Sequence, residues 1–348
     1  MTLPPLVSVV IPTRDRWGML RATLATVLAQ RDVSLEVLVV DDGSSAAPVR
    51  FPEDHRIRLL RQERSQGVAE ARNAGLAAAR APFVAFTDDD DLWAPDKLSV
   101  QLRAMGRTGA AWSSCSAVVV DDEMHIQRTQ PASETGDVGS RVLATNVVPG
   151  GGSGVVADTG LVRRLGGFDP SFQMVADWDL WIRLGLAAPL VAVDRPLLAY
   201  RVHAGGMSSR HDRTYDELRA LEAKYAEERA SRGVEMNWPR IELWLADRLQ
   251  RSGDRTGAAR SFLRSHPVIG RFKSITRATE ALVWPEAHHF RNVRRGRRVP
   301  AVWRDQVETW LVPGQDPAER LDAVVRPSPL PTPGVTLRRP DPSRPAAR

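Results

Sequence analysis

An α/β fold with a mostly parallel sheet flanked by helices is the class this sequence predicts, and three observations predict it. Short apolar runs alternate with helix-spaced segments through the first two hundred residues. Those runs are apolar almost throughout, as expected of strands covered on both faces by helices. Several of them end abruptly in polar or acidic loops, at the edge where open α/β sheets bind ligands.

In order, Leu6 to Ile11 reads as the first strand, stopped by Pro12 and followed by the polar loop Thr13-Arg14-Asp15-Arg16. Leu20, Leu24, Val27 and Leu28 have helical spacing within Leu20 to Gln30. A second strand, Leu35 to Val40, runs into Asp41-Asp42-Gly43-Ser44-Ser45, a turn whose glycine suits a positive φ. A weaker strand, Ile57 to Leu60, and an alanine-rich helix, Val68 to Arg80 with Arg72 inside it, come next. Phe83 to Phe86 is then a buried strand that ends in Thr87 and four consecutive carboxylates, Asp88 to Asp91.

Further along, Trp112 to Val120 reads as a strand with an acidic turn after it. Gly150 to Gly154 is either a flexible loop or a place where backbone approaches a ligand closely. Leu161 to Leu165 is a short helix, and Val175 to Leu184 a longer one on which Asp179 and Arg183 stand at i,i+4 and pair. That spacing leaves Asp177 near the helix amino terminus, where a cap or first-turn acid is the ordinary role. Leu190 to Val193 and Pro196 to His203 form the last strand-like segments, with His203 at a strand end beside a small-residue loop.

From Asp212 the pattern becomes helical: Tyr215 to Arg232, Trp238 to Arg251, Thr256 to Ser265, Ile275 to Phe290 and Trp303 to Val312. Beyond about Ala323, proline, arginine and serine dominate, a composition that cannot bury a core and predicts disorder. The division expected is therefore 1–210, a catalytic-type α/β domain; 211–322, a helical accessory region; and 323–348, a disordered tail.

Composition excludes several classes. The 43% hydrophobic content and mean hydropathy of −0.28 describe a soluble globular chain. No window approaches the roughly 18 unbroken apolar residues of a membrane span, and the amino terminus is too short and uncharged for a secretory signal. The single cysteine, Cys115, rules out an intramolecular disulfide and a cysteine zinc cluster. A cytoplasmic setting is expected. Residues 1–200 carry 20 Lys+Arg against 24 Asp+Glu, a balance of −4, so the net charge of +6 comes from the +10 of residues 201–348. The excess peaks at Arg291, Arg294, Arg295, Arg297 and Arg298, beside Trp284, Trp303 and Trp310. Such a pairing fits ordinary packing with a solvated rim, and it also fits peripheral contact with an anionic membrane face. Nucleic-acid binding is not expected.

The acidic quartet carries the sharpest chemistry. Four like charges beside an apolar strand are costly unless something cationic gathers them. Carboxylate oxygens suit a hard divalent cation, Mg²⁺ or Mn²⁺. A G-x-G-x-x-G turn is missing after the first strand, as is a G-x-x-x-x-G-K-[ST] loop, so a bound nucleotide would have its diphosphate held by a metal and not by glycine-loop amides.

Taken together, Val7–Arg16, Val37–Ser45, Ala71–Leu76, Phe86–Leu98, Gly166–Asp169, Asp177–Arg183 and Tyr200–His203 resemble, in content and order, the family 2 glycosyltransferases of GT-A fold. The resemblance spans roughly residues 6–210. It implies inverting transfer of a sugar from a nucleotide-diphosphate donor (UDP-, GDP- or dTDP-sugar) to an acceptor hydroxyl on a glycan or lipid-linked acceptor. By the same resemblance Asp42, with Asp41 beside it, would contact the base, and Pro12, Thr13 and Arg14 would line the nucleotide pocket together with Arg72. Asp88-x-Asp90 matches the family's D-x-D signature, with Asp90 holding the metal and Asp88 or Asp89 near the ribose. His203 falls near the donor phosphates, as a metal ligand or phosphate donor. Asp177 matches the catalytic base. The family's frequent Glu-Asp is Ala176-Asp177 here, so the base keeps its place without its acidic neighbour, and Asp179 is the alternative. A nucleotidyltransferase would want a glycine-rich loop after the first strand, and a sugar-nucleotide-binding protein without activity is the non-enzymatic alternative.

Overall fold

The computed structural model describes residues 4–46, 53–203, 213–284, 287–296, 298–312, 315, 317–321, 325 and 335–336. Most of the proline- and arginine-rich tail, the loop after His203 and Arg297 lie outside the described residues.

Strand β1 (Val7–Thr13) leads through α1 (Trp17–Leu28) to β2 (Leu35–Asp41), β3 (Ile57–Arg61), α2 (Val68–Ala78) and β4 (Phe83–Phe86). Pro12 does not stop β1. The strand continues two residues further, with Pro12 beside Val40 and Thr13 beside Asp41, because the parallel register to β2 carries it to the same edge. Then follow β5 (Leu92–Trp93), α3 (Lys97–Thr108), β6 (Trp112–Val120), β7 (Ile126–Gln130), α4 (Gly139–Ala144), a 3-10 turn (Gly151–Gly154), β8 (Val155–Asp158), α5 (Thr159–Arg164), α6 (Ala176–Ala187) and β9 (Leu190–Arg201). The two strand-like segments expected around Pro196 are this one strand, with register shifts opposite Cys115 to Ala117 absorbing the irregularity. Elements β5, α3, β7 and α4 are not among the elements expected from the sequence.

The sheet order is β10-β3-β2-β1-β4-β8-β6-β9-β5, with β7 on β6 and β10 being Val335–Thr336. Strands β3, β2, β1 and β4 run parallel, β8 is antiparallel to both β4 and β6, and β6 and β9 are again parallel. The ends of β1, β2, β4 and β9 therefore lie on one edge of the sheet.

Successive residues of β1 and β2 face opposite layers, as the two-residue period of a strand dictates. Val9, Ile11, Val37 and Val39 pack with Leu24, Leu28 and Leu98 on one side. Val10, Leu38 and Val40 pack on the other with Leu76, Phe86, Phe168 and Trp181. That second cluster continues into the helices α7 (Thr214–Lys224), α9 (Trp238–Arg251), α10 (Arg255–Arg264) and α12 (Arg271–Val283) through Leu218, Leu221, Leu245, Leu249, Phe262 and Ala278, and takes in Tyr225 just before α8 (Ala226–Arg232). Helices α11 (His266–Ile269), α13 (Ala287–Gly296) and α14 (Ala301–Glu308) complete the region. The long helix expected from Tyr215 breaks at Tyr225, whose hydroxyl turns inward to donate to Asp179. Trp303 and Trp310 pack against Val307 and Leu311, and Trp284 is about half exposed. Among the described residues no helix is long and apolar enough to cross a membrane.

Candidate active site

The four carboxylates at the end of β4 do not form one equivalent set; each has its own partner. Asp88 accepts from the Arg72 guanidinium at 2.5 Å. Asp89, fully buried, accepts from the Thr13 hydroxyl at 2.6 Å and from Arg16 Nε at 3.2 Å. Asp90 lies 2.9 Å from Arg16 and 3.0 Å from His203 Nε2. Asp91, also fully buried, accepts from Ser153 Oγ at 2.5 Å and from the Arg201 backbone amide at 3.0 Å. The cation that like charges at this edge require is thus supplied by α1's approach loop in Arg16 and by α2 in Arg72.

Burial pushes Asp89 up to about 7, with Asp90 adding to the rise and Arg16 and Thr13 opposing it. Burial, then Asp90 and Asp88, hold Asp91 well above the usual carboxylate range. Asp90 goes the other way. Burial raises it, but the His203 bond and Arg16 outweigh that and keep it low. One oxygen each from Asp88, Asp90 and Asp91 lie within 4.8 Å of one another, an all-carboxylate set that fits a hard divalent cation. Asp91 joins this set through its oxygens as well as anchoring the turn.

The loop after β2 makes the adjoining wall. Gly43 has φ +68°, and a Cβ there would meet the Ser65 backbone at 2.5 Å, so only glycine fits. The Asp42 carboxylate accepts from the Gln66 amide at 2.7 Å, the Ser65 hydroxyl at 2.7 Å and the Gly67 amide at 3.0 Å. Asp41 is buried, accepts from the Ser44 amide at 2.9 Å and sits 3.4 Å from Arg61. Arg14 is largely exposed and donates to Ser65 Oγ at 3.0 Å.

Asp177 stands in the first turn of α6. Its Oδ1 accepts from the Trp178 amide at 2.7 Å, while Oδ2 faces Gly151, where a Cβ would come within 3.1 Å. Gly151 has φ +54°. The glycine run is therefore a packed turn, not a flexible loop, and its small residues let backbone lie against Asp177 and the Arg72 guanidinium. Burial raises the Asp177 carboxyl, Arg72 opposes the rise and Asp88 adds to it. Arg72 thereby sits in the field of both acids. Asp179, by contrast, is fully buried and saturated: Arg183 donates at 2.5 and 3.0 Å, Lys224 at 2.6 Å and the Tyr225 hydroxyl at 2.7 Å. The i,i+4 pair expected with Arg183 is present, tied to two residues of the helical region.

Four residues here had no forecast role. Arg16 and Ser153 hold the acids directly, and the Arg201 amide does so from the end of β9. Arg248, on α9, is buried with its guanidinium 4.3 Å from the Trp244 ring centroid, and Asp177 and Tyr200 feel its charge. The want of a cation near the quartet was the signal for Arg16, the nearest unassigned base on the same strand edge. Nothing in the spacing pointed to Arg248, since it depends on how α9 docks.

Against known proteins, the model of glycosyl transferase family 2 matches residues 8–164. An Escherichia coli protein named as a UDP-Glc:alpha-D-GlcNAc-diphosphoundecaprenol beta-1,3-glucosyltransferase, WfgD, is 39% identical over 104 residues, which cover 29% of this chain and 41% of that one. A second E. coli enzyme of the same named activity, WfaP, is 26% identical over 211 residues, 59% of this chain and 80% of its own length. An uncharacterized glycosyltransferase of Rickettsia felis is 27% identical over 204 residues, 57% of this chain and 33% of that protein. The chain thus spans about a third to two-fifths of several of these curated relatives. Among solved structures, S. aureus TarS 1-349 in complex with UDP-GlcNAc superposes with a TM-score of 0.52 at 16% identity, covering 84% of this chain and 88% of that 1-349 chain, which is a likeness of fold. The matched stretch runs from β1 through the acid quartet to α5, and over it the chain is similar to glycosyl transferase family 2.

Proposed function

We propose that the chain transfers a sugar from a nucleotide-diphosphate donor to an acceptor hydroxyl, with inversion and with a divalent cation held at Asp90. The observation that carries this reading is the division of labour at the sheet edge. One group of acids is gathered by Arg16, Arg72 and His203, and a separate acid, Asp177, has one oxygen opposite a glycine turn with no hydrogen bond to any described residue. The donor class is that in the names of WfgD and WfaP and of the TarS complex.

In this reading Pro12, Thr13 and Arg14 on one side and Asp41 and Asp42 on the other border the nucleotide. Asp42, which already orders the 65–67 turn, would present that turn to the base. Asp90, with Asp88 or Asp91, would hold Mg²⁺ or Mn²⁺; when bound, the ion neutralises charge on the departing diphosphate. His203, 3.0 Å from Asp90, orients that carboxylate and is placed to reach the same ion or a donor phosphate. Asp88 and Asp89 lie on the donor side. Asp177 takes the proton from the acceptor hydroxyl as that oxygen attacks the anomeric carbon, a task for which its raised proton affinity suits it. Arg72, bonded to Asp88, opposes the rise in the Asp177 carboxyl. The reaction is placed on the cytoplasmic side, where sugar nucleotides are available to an acceptor at the membrane face.

The test is nucleotide diphosphate release from a panel of sugar nucleotides with Mn²⁺. Release that disappears in Asp90→Ala and Asp177→Asn supports the reading. Nucleotide binding without release for any donor or acceptor would leave only a binding protein.

A further inference from the structure

Strand β7, the end of helix α13 and the residues just after it border an open pocket of about 210 Å³ lined by Arg128, Thr129, Arg295, Arg298 and Val299. Its walls are fixed in place. A Cβ on Gly296 would run into the Ile126 carbonyl, so α13 reaches β7 at a separation only glycine permits. Asn292 donates to Gln127 Oε1 at 3.1 Å, and the Val299 amide donates back to Gly296. Of the neighbouring arginines, Arg291 is spent on Glu280 and Gln250. The guanidinium groups of Arg128, Arg295 and Arg298 make no hydrogen bond or close ion pair to any described residue. Burial depresses Arg128, and Arg251 and Arg295 depress it further, with Asp247 opposing. Three cations with one nearby acid leave the cavity positive, a condition an anion relieves.

The strand register says where this cavity lies relative to the acids. Val119 of β6 pairs with Arg128 on one side and with Tyr200 on the other. Arg128 and Tyr200 therefore share a face of the sheet, two strands apart, or about 10 Å. The residue after Tyr200, Arg201, donates its amide to Asp91. The arginine cavity is thus one short step along the sheet from the acid quartet.

We infer that Arg128, Arg295 and Arg298 form a phosphate-binding site that receives the diphosphate of a lipid-linked acceptor. This rests on the glycosyltransferase reading above and names its acceptor class. Guanidinium groups match phosphate oxygens in fork geometry. A diphosphate held here would orient a linked sugar toward the site of Asp177, and the apolar chain would leave past the exposed Arg298 side.

Hydrogen–deuterium exchange on the full chain tests this with three probes: inorganic pyrophosphate, farnesyl diphosphate and farnesol. Both diphosphates are expected to slow exchange in residues 126–130 and 291–296, and farnesol is not. Arg128→Gln and Arg295→Gln should each weaken that protection by roughly tenfold in ligand concentration, as expected for loss of one charge-assisted contact, while Arg128→Lys retains part of it. Wild-type protein in which neither diphosphate protects these segments, or in which farnesol protects them equally, overturns the inference without recourse to any variant. Protection by phosphatidylglycerol vesicles alone would also overturn it, in favour of a membrane surface. A UDP and Mn²⁺ arm, read at residues 8–16 and 86–91, separates the two readings. A responsive donor edge with a silent arginine cavity sinks this inference alone, and a donor edge silent to every nucleotide tried sinks the functional reading beneath it.

Discussion

Arg16 donates to Asp90 at 2.9 Å from a position 74 residues away in the chain, and the same guanidinium grips Asp89. One side chain in the loop between β1 and α1 thereby neutralises the middle of an acidic run that β4 delivers. Arg16→Gln would leave two buried carboxylates without their cation, a change that typically costs about 3–5 kcal/mol. The expected result is a lower melting temperature that Mn²⁺ restores by a larger increment than it gives the wild type. Equal increments in the two proteins would show that Arg16 and the cation do not share a site.

With Asp177 as the proposed base, its raised carboxyl is expected to set the acid limb of the rate. A base must be ionised to act, so kcat/KM falls as pH drops through the Asp177 pKa, and the fall begins above the usual carboxylate range. Arg72→Met removes the principal charge opposing the shift and moves the limb to higher pH. A pH–rate profile of both proteins checks this. A limb that stays in place in the variant would disconnect Arg72 from Asp177.

Ser153 connects the glycine turn to the quartet, accepting from the Asp88 amide at 3.0 Å and donating to Asp91. Ser153→Ala strips a buried carboxylate of a donor and is expected to cost about 1–3 kcal/mol in denaturant titrations. Ser153→Thr, which keeps the hydroxyl, should recover part of it if the turn has room for the methyl.

Asp179→Asn separates structure from chemistry. Asp179 receives four donors from Arg183, Lys224 and Tyr225. The amide variant should melt earlier yet keep the pH dependence of the wild-type rate, whereas loss of the acid limb would make Asp179 the base.

Lys97 is fully buried at the start of α3, 4.1 Å from the Trp93 ring centroid, with no hydrogen-bond partner for its ammonium among the described residues. Burial pulls it down to about 8, with Cys115 slightly opposing. Its folded pKa lies below its unfolded one, so the folded state binds fewer protons between pH 8 and 10.5, and stability rises with pH across that window. Lys97→Met is expected to stabilise the protein at neutral pH by a few kcal/mol, on the order of the desolvation cost. The gain should shrink toward pH 10, as thermal melts at the two pH values would show.

The sequence carried the strands of the parallel half well, because β1, β2 and β4 are apolar throughout and end in recognisable turns. It placed Asp88, Asp90, Asp177 and His203 near strand and helix ends, where the chain brings three of them to one edge. What stayed hidden depends on partners distant in sequence. β7, of which every residue is only partly buried, has no hydrophobic alternation to read. Arg16 looked like one more loop charge until the fold set it against Asp89 and Asp90. Gly150 to Gly154 allowed two interpretations from composition alone, since glycine serves a loose loop and a tight contact equally, and only the presence of Leu198, Asp177 and Arg72 around it decides between them.

The hydrophobic cluster behind the quartet has one more consequence. Phe86, Phe168 and Trp181 are packed in the same continuous interior as Leu245, Leu249 and Phe262 of the later helices. Loosening α9 or α10 would remove the backing from the strand that presents the carboxylates, so the helices and the acidic edge should denature as one cooperative unit. A calorimetric scan would then give a single peak, and a chain cut after residue 203 would lose the ability to hold its charged edge together even though every acid of that edge remained.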